Sequence, residues 1–378
     1  MNLAFSEEQE MFKKAARDFL EDKCSKKLVK QLEETEKGYS PELWQEIADL
    51  GWTGLAFPEK NGGSGMSFLE LMPLLEEMGR ASFPSPFFST VILGGLTILD
   101  VGNEEQKEKY LPSIASGKQI FTLALTESAA RYDASSIKMK AIPKNGSYII
   151  KGRKMFVPDA HIADYLLCVA RTKESAKAEE GITIFLIDAR SSGVNCAALH
   201  TIARDKLCEV VLDQVQVSRN DILGQLDQGW NEVQKILERA AMAKCCEVVG
   251  SMRRVLEMTI DYAKERKQFD RPIGSFQAIQ HCCADMATDV DSAMLVTYQA
   301  VWMLSQELPC AKEVAVAKAW VGEASQRVTN LAHQIHGAIG VTMEHDLHFY
   351  TRRAKAAELS YGDASFCREV VAREMGLA

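Results

Sequence analysis

The sequence predicts a mainly α protein with a small β-domain set in its middle. Three observations carry this. Residues 1 to about 118 repeat apolar side chains at helical spacing, residues 119–226 switch to a period of two, and long helical patterns return from Trp230 onward. The expected domains are 1–118, 119–226 and 227–378, and a chain of 378 residues is long enough to bury a sizeable core in such layers.

The first block opens with Ser6-Glu7-Glu8-Gln9, a capping-box pattern, and Phe12, Ala15, Ala16, Phe19 and Leu20 then recur at helical spacing. Amphipathic segments are expected over 6–34, 41–50, 67–81, 85–99 and 103–116, punctuated by Pro58 and Pro84/Pro86. Asn61-Gly62-Gly63-Ser64-Gly65 lacks the Lys-Ser/Thr ending of a P-loop and follows no strand, so it is read as a tight turn. In the middle block, Ile120–Leu125 alternates like a strand. Ile137–Ile142 and Tyr148–Gly152 flank Lys144-Asn145-Gly146-Ser147, a hairpin signal. Further strands are expected over 163–170, 181–187 and 208–217. The last block holds helices near 230–266, 275–307, 310–338 and 344–374, with an alanine-rich stretch at 315–332 suited to close helix packing.

Composition excludes several classes. A net charge of −8 with interspersed signs leaves no basic stripe for nucleic acid. The densest basic cluster, Lys23, Lys26, Lys27 and Lys30, reads as a solvated helix face. The apolar run from Phe87 to Leu99 is too short and too glycine-broken to span a bilayer, and the N-terminus is no signal peptide, so a cytoplasmic protein is expected. Ten cysteines include no Cys-x-x-Cys pair, and the adjacent pairs Cys245-Cys246 and Cys282-Cys283 diverge around a helix; small buried thiols are expected. His345 and His348 share a helix face, but nothing nearby completes a ligand set, so no metal is expected.

Four pieces of the last block stand in a telling order: Glu265-Arg266-Lys267-Gln268-Phe269, Phe276-Gln277, Gln334-Ile335-His336-Gly337-Ala338-Ile339-Gly340 and Arg352-Arg353-Ala354-Lys355. With Glu209–Val217, Ile222-Leu223-Gly224 and Gly229-Trp230, they resemble the acyl-CoA dehydrogenase flavoprotein family over essentially the whole chain. The resemblance implies an N-terminal helical domain, a middle β-barrel and a C-terminal four-helix bundle. It also implies FAD as cofactor, an acyl-CoA substrate, an electron-transfer flavoprotein as acceptor, and a homo- or hetero-oligomeric dimer or tetramer.

Carried over residue by residue, Arg266 and Phe269 match the family's contacts to the pyrophosphate and adenine side from a neighbouring subunit. A guanidinium suits that place because it can hold two phosphate oxygens with paired hydrogen bonds. Gln277 matches a glutamine on the next helix. Gln334, Ile335, Gly337 and Ala338 match the turn over the ADP moiety, and Ser365 a contact on the last helix. On the flavin side the family's Thr-Glu-Pro-x-x-Gly-Ser-Asp corresponds to Thr126-Glu127-Ser128-Ala129-Ala130-Arg131-Tyr132-Asp133, preceded by Leu125. Here Arg131-Tyr132 replaces the small pair that leaves room for ligand. Phe156 retains an aromatic to stack on the flavin, but Pro158 has no hydroxyl for N5.

The departures bear on chemistry. The family's reaction removes a proton α to the thioester carbonyl while hydride leaves the β-carbon, so one carboxylate must serve as base. That glutamate commonly follows a tyrosine near the C-terminus, and this chain reads Ser360-Tyr361-Gly362-Asp363-Ala364-Ser365. Asp363, one residue on, is either the base or the N-cap of the following helix. Glu238, in Leu237-Glu238-Arg239, is a second candidate, resembling family members whose glutamate lies on the first bundle helix. Arg239 either lines the acyl pocket or forms a salt bridge, and Glu247 reads as structural. The third alternative is a chain with no base: members reading Gly-Asp-Ala resemble partner subunits of paired dehydrogenases acting on ring-containing or bulky CoA esters.

Overall fold

The computed structural model describes residues 5–377. The chain forms two compact units. One comprises Met1–Lys30, Phe68–Phe83 and Ala241–Ala378; the other comprises Gln31–Ser67 and Pro84–Ala240. In chain order come α1 (Glu7–Lys23), α2 (Lys26–Glu34), α3 (Pro41–Asp49), α4 (Phe68–Ala81), α5 (Leu96–Val101) and α6 (Glu104–Ala115). Strands β1 (Phe121–Ala124), β2 (Lys140–Lys144), β3 (Ser147–Pro158), β4 (Tyr165–Arg171), β5 (Ile182–Asp188), β6 (Val194–Ala198), β7 (Leu207–Ser218) and β8 (Ile222–Leu223) follow. After α7 (Trp230–Glu265) a small hairpin, β9 (Lys267–Gln268) and β10 (Arg271–Pro272), leads to α8 (Gln277–Ser305), α9 (Ala311–His336), α10 (Leu347–Leu359) and α11 (Ala364–Glu374).

The expected capping box is present, with Ser6 and Gln9 exchanging side-chain and backbone hydrogen bonds at the start of α1. The helix expected over 6–34 is two helices. Ser25 Oγ accepts the Leu28 amide at 3.3 Å, and this competing side-chain cap ends one helix and starts the next. Lys26 departs from the expected solvated face. Its ammonium donates to the Ala81 carbonyl at 2.5 Å and lies 4.7 Å from the Tyr350 ring centroid, and burial pushes its pKa down to about 7. The segment expected as a helix over 85–99 is π-helical from Phe88 to Gly95 before α5 begins.

The β-unit is an eight-stranded sheet in the order β6-β7-β3-β2-β4-β5-β8, with β1 pairing parallel to β4. The Asn145-Gly146 turn closes the β2–β3 hairpin with both residues at positive φ, +48° and +79°, as a type I′ turn requires. The sheet curls over its own core: Tyr148 of β3 and Phe185 of β5 lie 5.3 Å apart although two strands separate them in the sheet. Cys168, Ile150, Cys208 and Val210 are buried in the same cluster. Strand β6 and the two-residue β8 were not expected. An exposed edge strand has no apolar alternation to reveal it.

In the helical unit α4 and α7 approach backbone to backbone. A Cβ on Gly79 would overlap the Glu247 carbonyl, and one on Gly250 would overlap the Glu76 carbonyl. Beside this crossing Glu76 is buried and accepts from Lys13, from Arg253 at 3.4 Å and from the Tyr298 hydroxyl at 2.5 Å. The helix expected over 344–374 is interrupted between Leu359 and Ala364, where Tyr361 and Gly362 take φ of +58° and +105°. Expected buried thiols are found at seven positions, but Cys282 and Cys283 are half-buried and Cys196 is exposed. We predict that Gly250→Ala destabilises the protein by at least about 1–3 kcal/mol, because the added methyl must push two helices apart. A denaturant midpoint unchanged from the parent chain would refute this close approach.

Candidate functional site

On the β-unit, the stretch leaving β1 is fixed by a buried lysine. Lys154, fully buried in β3, donates to the Leu125 carbonyl at 2.9 Å and to the Glu127 carboxylate at 2.8 Å. Glu127 in turn accepts the amides of Lys138 and Met139 at 3.0 Å, and the Thr126 carbonyl accepts the Met155 amide at 2.8 Å. Leu125, Thr126 and Glu127 are thus held from three sides. A charge this deeply buried persists because it is paired and hydrogen-bonded. A register shift between Lys154 and Val157 follows, and within it Phe156 takes φ +55° and is 47% exposed. The bulge turns an aromatic outward beside the pinned segment. Pro158 closes β3, its carbonyl accepting from the Thr122 hydroxyl at 2.5 Å. Tyr132 is half-buried in the loop beyond, while the exposed Arg131 pairs with Asp133 at 2.6 Å.

Two further residues of this unit lie near the start of α7. Arg239 forms an ion pair with Asp100 at 2.6 Å and reaches the Leu96 carbonyl at 3.4 Å, the salt-bridge alternative left open by the sequence. Glu238 beside it is half-buried.

On the helical unit, α7 ends at Glu265 and Arg266 leads into the β9–β10 hairpin, a feature the sequence did not reveal. Its turn residues Phe269 and Asp270 take φ of +54° and +63°. Phe269 sits at the tip, 86% exposed, 6.1 Å from Phe276, over which Arg271 stacks at 4.1 Å. Gln277 opens α8 and is exposed. The last turn of α7 meets the end of α9: Tyr262 stacks on His336 at 4.5 Å and its hydroxyl donates to the His336 carbonyl at 3.3 Å. This contact links the Arg266 hairpin to the Gln334–Ala338 turn. There Gln334 is exposed, Ile335 is buried, and Gly337 takes φ +64° with open space where a Cβ would stand. Ala338 is exposed, and His336 Nε2 is buried with no hydrogen-bond partner among the described residues. A turn with small residues, free space and an unsatisfied nitrogen is suited to receive a polar ligand.

The turn between α10 and α11 is the second centre of this unit. Asp363 caps α11, its carboxylate accepting the Phe366 amide at 2.8 Å. Lys318, buried in α9, donates to the carbonyls of Glu358 at 2.9 Å and Gly362 at 2.7 Å, and burial pushes its pKa down. A Cβ on Gly362 would stand 2.8 Å from the Phe366 ring at a φ only glycine adopts readily. Asp363 and Ser365 line a cavity of about 400 Å³ with Gln326, Arg327 and Lys355. Glu247 pairs with Lys244 at 2.5 Å, in keeping with a structural role. Among the described residues no three His, Cys, Asp or Glu side chains gather as metal ligands, and no helix is long and apolar enough to cross a membrane.

Sequence reasoning missed Lys154 and Lys318. The available signal was a lysine at a core-facing position. Lys154 lies at an inward register of β3 opposite Val210, and Lys318 shares the packing face of α9 with Ala315, Gly322 and Ser325.

The β-unit thus offers an aromatic and backbone groups on a pinned edge, and the helical unit a glycine turn and an arginine-bearing hairpin. Family comparison assigns the class. Profiles of the acyl-CoA dehydrogenase N-terminal, middle and C-terminal domains match residues 6–118, 122–215 and 227–376. The chain is 30% identical to 3-(aryl)acrylate reductase of Clostridium sporogenes, covering 98% of this chain and 99% of that one. It is also 30% identical to the caffeyl-CoA reductase-Etf complex subunit CarC of Acetobacterium woodii, covering 97% and 98%. The crystal structure of the ChsE4-ChsE5 complex from Mycobacterium tuberculosis superposes with a TM-score of 0.92 at 27% identity, over 100% of both chains. The chain belongs to the acyl-CoA dehydrogenase family; it is an oxidoreductase whose cofactor is FAD.

Removing one partner of the buried Lys154–Glu127 pair leaves an uncompensated charge. We predict that Lys154→Met costs about 3–5 kcal/mol of stability and lowers the flavin-to-protein absorbance ratio. A variant that melts with the parent chain and retains its flavin would show that the clamp does not shape this edge.

Proposed function

We propose that this chain is the FAD-holding, base-lacking subunit of an acyl-CoA dehydrogenase that introduces an α,β double bond into a bulky or alicyclic acyl-CoA. A second chain supplies the carboxylate. The carrying observation is the α10–α11 turn: position 362 is a glycine at φ +105° with the Phe366 ring against it, and the neighbouring carboxylate of Asp363 is engaged as a helix cap. Two similar proteins support pairing with other chains: one belongs to the ChsE4-ChsE5 complex, and CarC is a subunit of a caffeyl-CoA reductase-Etf complex. The latter also supports an electron-transfer flavoprotein as the acceptor.

In this reading, Leu125 and Thr126 would offer backbone and hydroxyl groups to the flavin, and Phe156 would offer its exposed ring. Arg266, Phe269, Gln277, Gln334, Ile335, Gly337, Ala338 and Ser365 hold the nucleotide half. Pro158, with neither hydroxyl nor amide hydrogen, would offer N5 no hydrogen bond. When bound, FAD supplies the acceptor for the β-hydride. Polarisation of the thioester carbonyl by backbone donors acidifies the α proton, and exclusion of water strengthens that effect. Tyr132 would stand on the substrate side, and Arg239 is fixed by Asp100.

One observation favours a second reading, in which Asp363 is the base: with Ser365 it lines a cavity of about 400 Å³. Glu238 is the further candidate, half-buried beside Arg239.

Asp363→Asn separates these readings because asparagine caps helices about as well as aspartate. We predict that the purified chain alone shows no dye-linked acyl-CoA oxidation, and that in the active assembly Asp363→Asn keeps the parent rate. Turnover by the chain alone that Asp363→Asn abolishes would establish the second reading instead.

A further inference from the structure

A cluster on the outer strands of the sheet takes no part in the chemistry above. Strands β6 and β7 pair antiparallel with Cys196 opposite Val210 and Ala198 opposite Cys208, which puts both cysteines on one face at diagonal positions. His161 stands next to them, its Nδ1 3.8 Å from Cys208 Sγ. Its other ring nitrogen, Nε2, lies 3.1 Å from the Lys37 carbonyl. A carbonyl oxygen can only accept, so Nε2 carries the proton and Nδ1 of the neutral ring is the acceptor facing the thiol. The pKa of His161 is raised chiefly by Cys208 and in smaller part by Asp159, half-buried two residues away, which accepts from the Ser89 hydroxyl at 2.6 Å.

We propose that Cys196 and Cys208 are an oxidisable thiol pair: a small-molecule disulfide attacks at the exposed Cys196, and Cys208, with His161 as its base, then closes an internal disulfide. The residues supply each requirement of thiol–disulfide exchange. Cys196 is exposed, so a disulfide in solution reaches it, whereas Cys208 is buried and meets only its neighbour. Cys196 and then His161 lower the proton affinity of Cys208, while Cys208 raises that of Cys196. In the first step the Cys196 proton passes to His161 Nδ1, Cys196 Sγ attacks glutathione disulfide, and the imidazolium returns that proton to the departing glutathione thiolate, so one glutathione leaves and His161 is neutral again. A mixed disulfide remains on Cys196. In the second step His161 Nδ1 takes the Cys208 proton, Cys208 Sγ attacks Cys196 Sγ, and the departing glutathione thiolate is protonated by the imidazolium. Two thiols are oxidised to one disulfide, and one glutathione disulfide is reduced to two glutathiones.

The bond needs the two sulfurs to approach to about 2.0 Å. Strand β6 is hydrogen-bonded to β7 alone and lies at the end of the sheet, so it can make that movement without breaking a second ladder. Cys208 pairs across β7 with Val157 of β3, next to Phe156 and Pro158. Closure therefore acts on the strand that carries the flavin-side aromatic.

The test incubates the purified chain with glutathione disulfide and maps its peptides by mass spectrometry without reduction. We expect a Cys196–Cys208 bridged peptide, lighter by two hydrogens than the two thiol peptides together, that dithiothreitol reverses. Cys196→Ser, a substitution at an exposed edge position, should give no bridge. His161→Gln should slow closure by about tenfold or more and let the mixed disulfide on Cys196 accumulate. A stable glutathione adduct on Cys196 with no bridge in the parent chain would overturn the proposal, as would closure in His161→Gln at the parent rate.

Discussion

The turn from Tyr361 to Asp363 is the constraint on which the chemical character of this protein depends. Two consecutive residues in left-handed conformation end α10, Lys318 gathers the Glu358 and Gly362 carbonyls, and Asp363 starts α11. Each part requires the others. The buried ammonium is tolerated because two carbonyls receive it, and those carbonyls converge because glycine permits the chain to reverse there. A larger side chain at 362 would meet Phe366 and Cys367. Position 362 is therefore built around a glycine.

The β-unit solves a different problem with a similar device. The stretch leaving β1 must be held still where strand pairing has ended. Lys154 reaches across from β3 to fix the Leu125 carbonyl and the Glu127 carboxylate, and Glu127 holds two amides of the next loop. Preorganised donors and acceptors of this kind cost no rearrangement when ligand arrives. The adjacent bulge at Phe156 turns an aromatic face outward from the same rigid edge.

Much of the architecture was legible because local and long-range signals agreed. Ser6 and Gln9, Asn145-Gly146, and the alanine-rich face of α9 each dictate a local conformation that the packing also needs. What escaped notice lacked periodicity or ran against it. Ser25 broke a continuous helical pattern with one side-chain cap. The β9–β10 hairpin is two residues a side, too short to alternate, and β6 is exposed along its length. Among the site residues, Arg266, Phe269, Gln334 and Gly337 were placed by resemblance, and the exposure of Phe269 and the open space at Gly337 suit that role. Lys154 and Lys318 were passed over because lysine ordinarily marks solvent. Asp363 was ambiguous for a physical reason: a short acid after glycine satisfies a helix cap and a general base equally well in sequence.

Abstraction of the α proton can be followed apart from flavin reduction. The purified chain is mixed with a saturated acyl-CoA in deuterated water, and loss of the α-proton resonance is recorded by NMR. Our account predicts exchange at the rate seen in buffer, because no carboxylate of this chain acts on that proton. Exchange accelerated by the chain alone would contradict it.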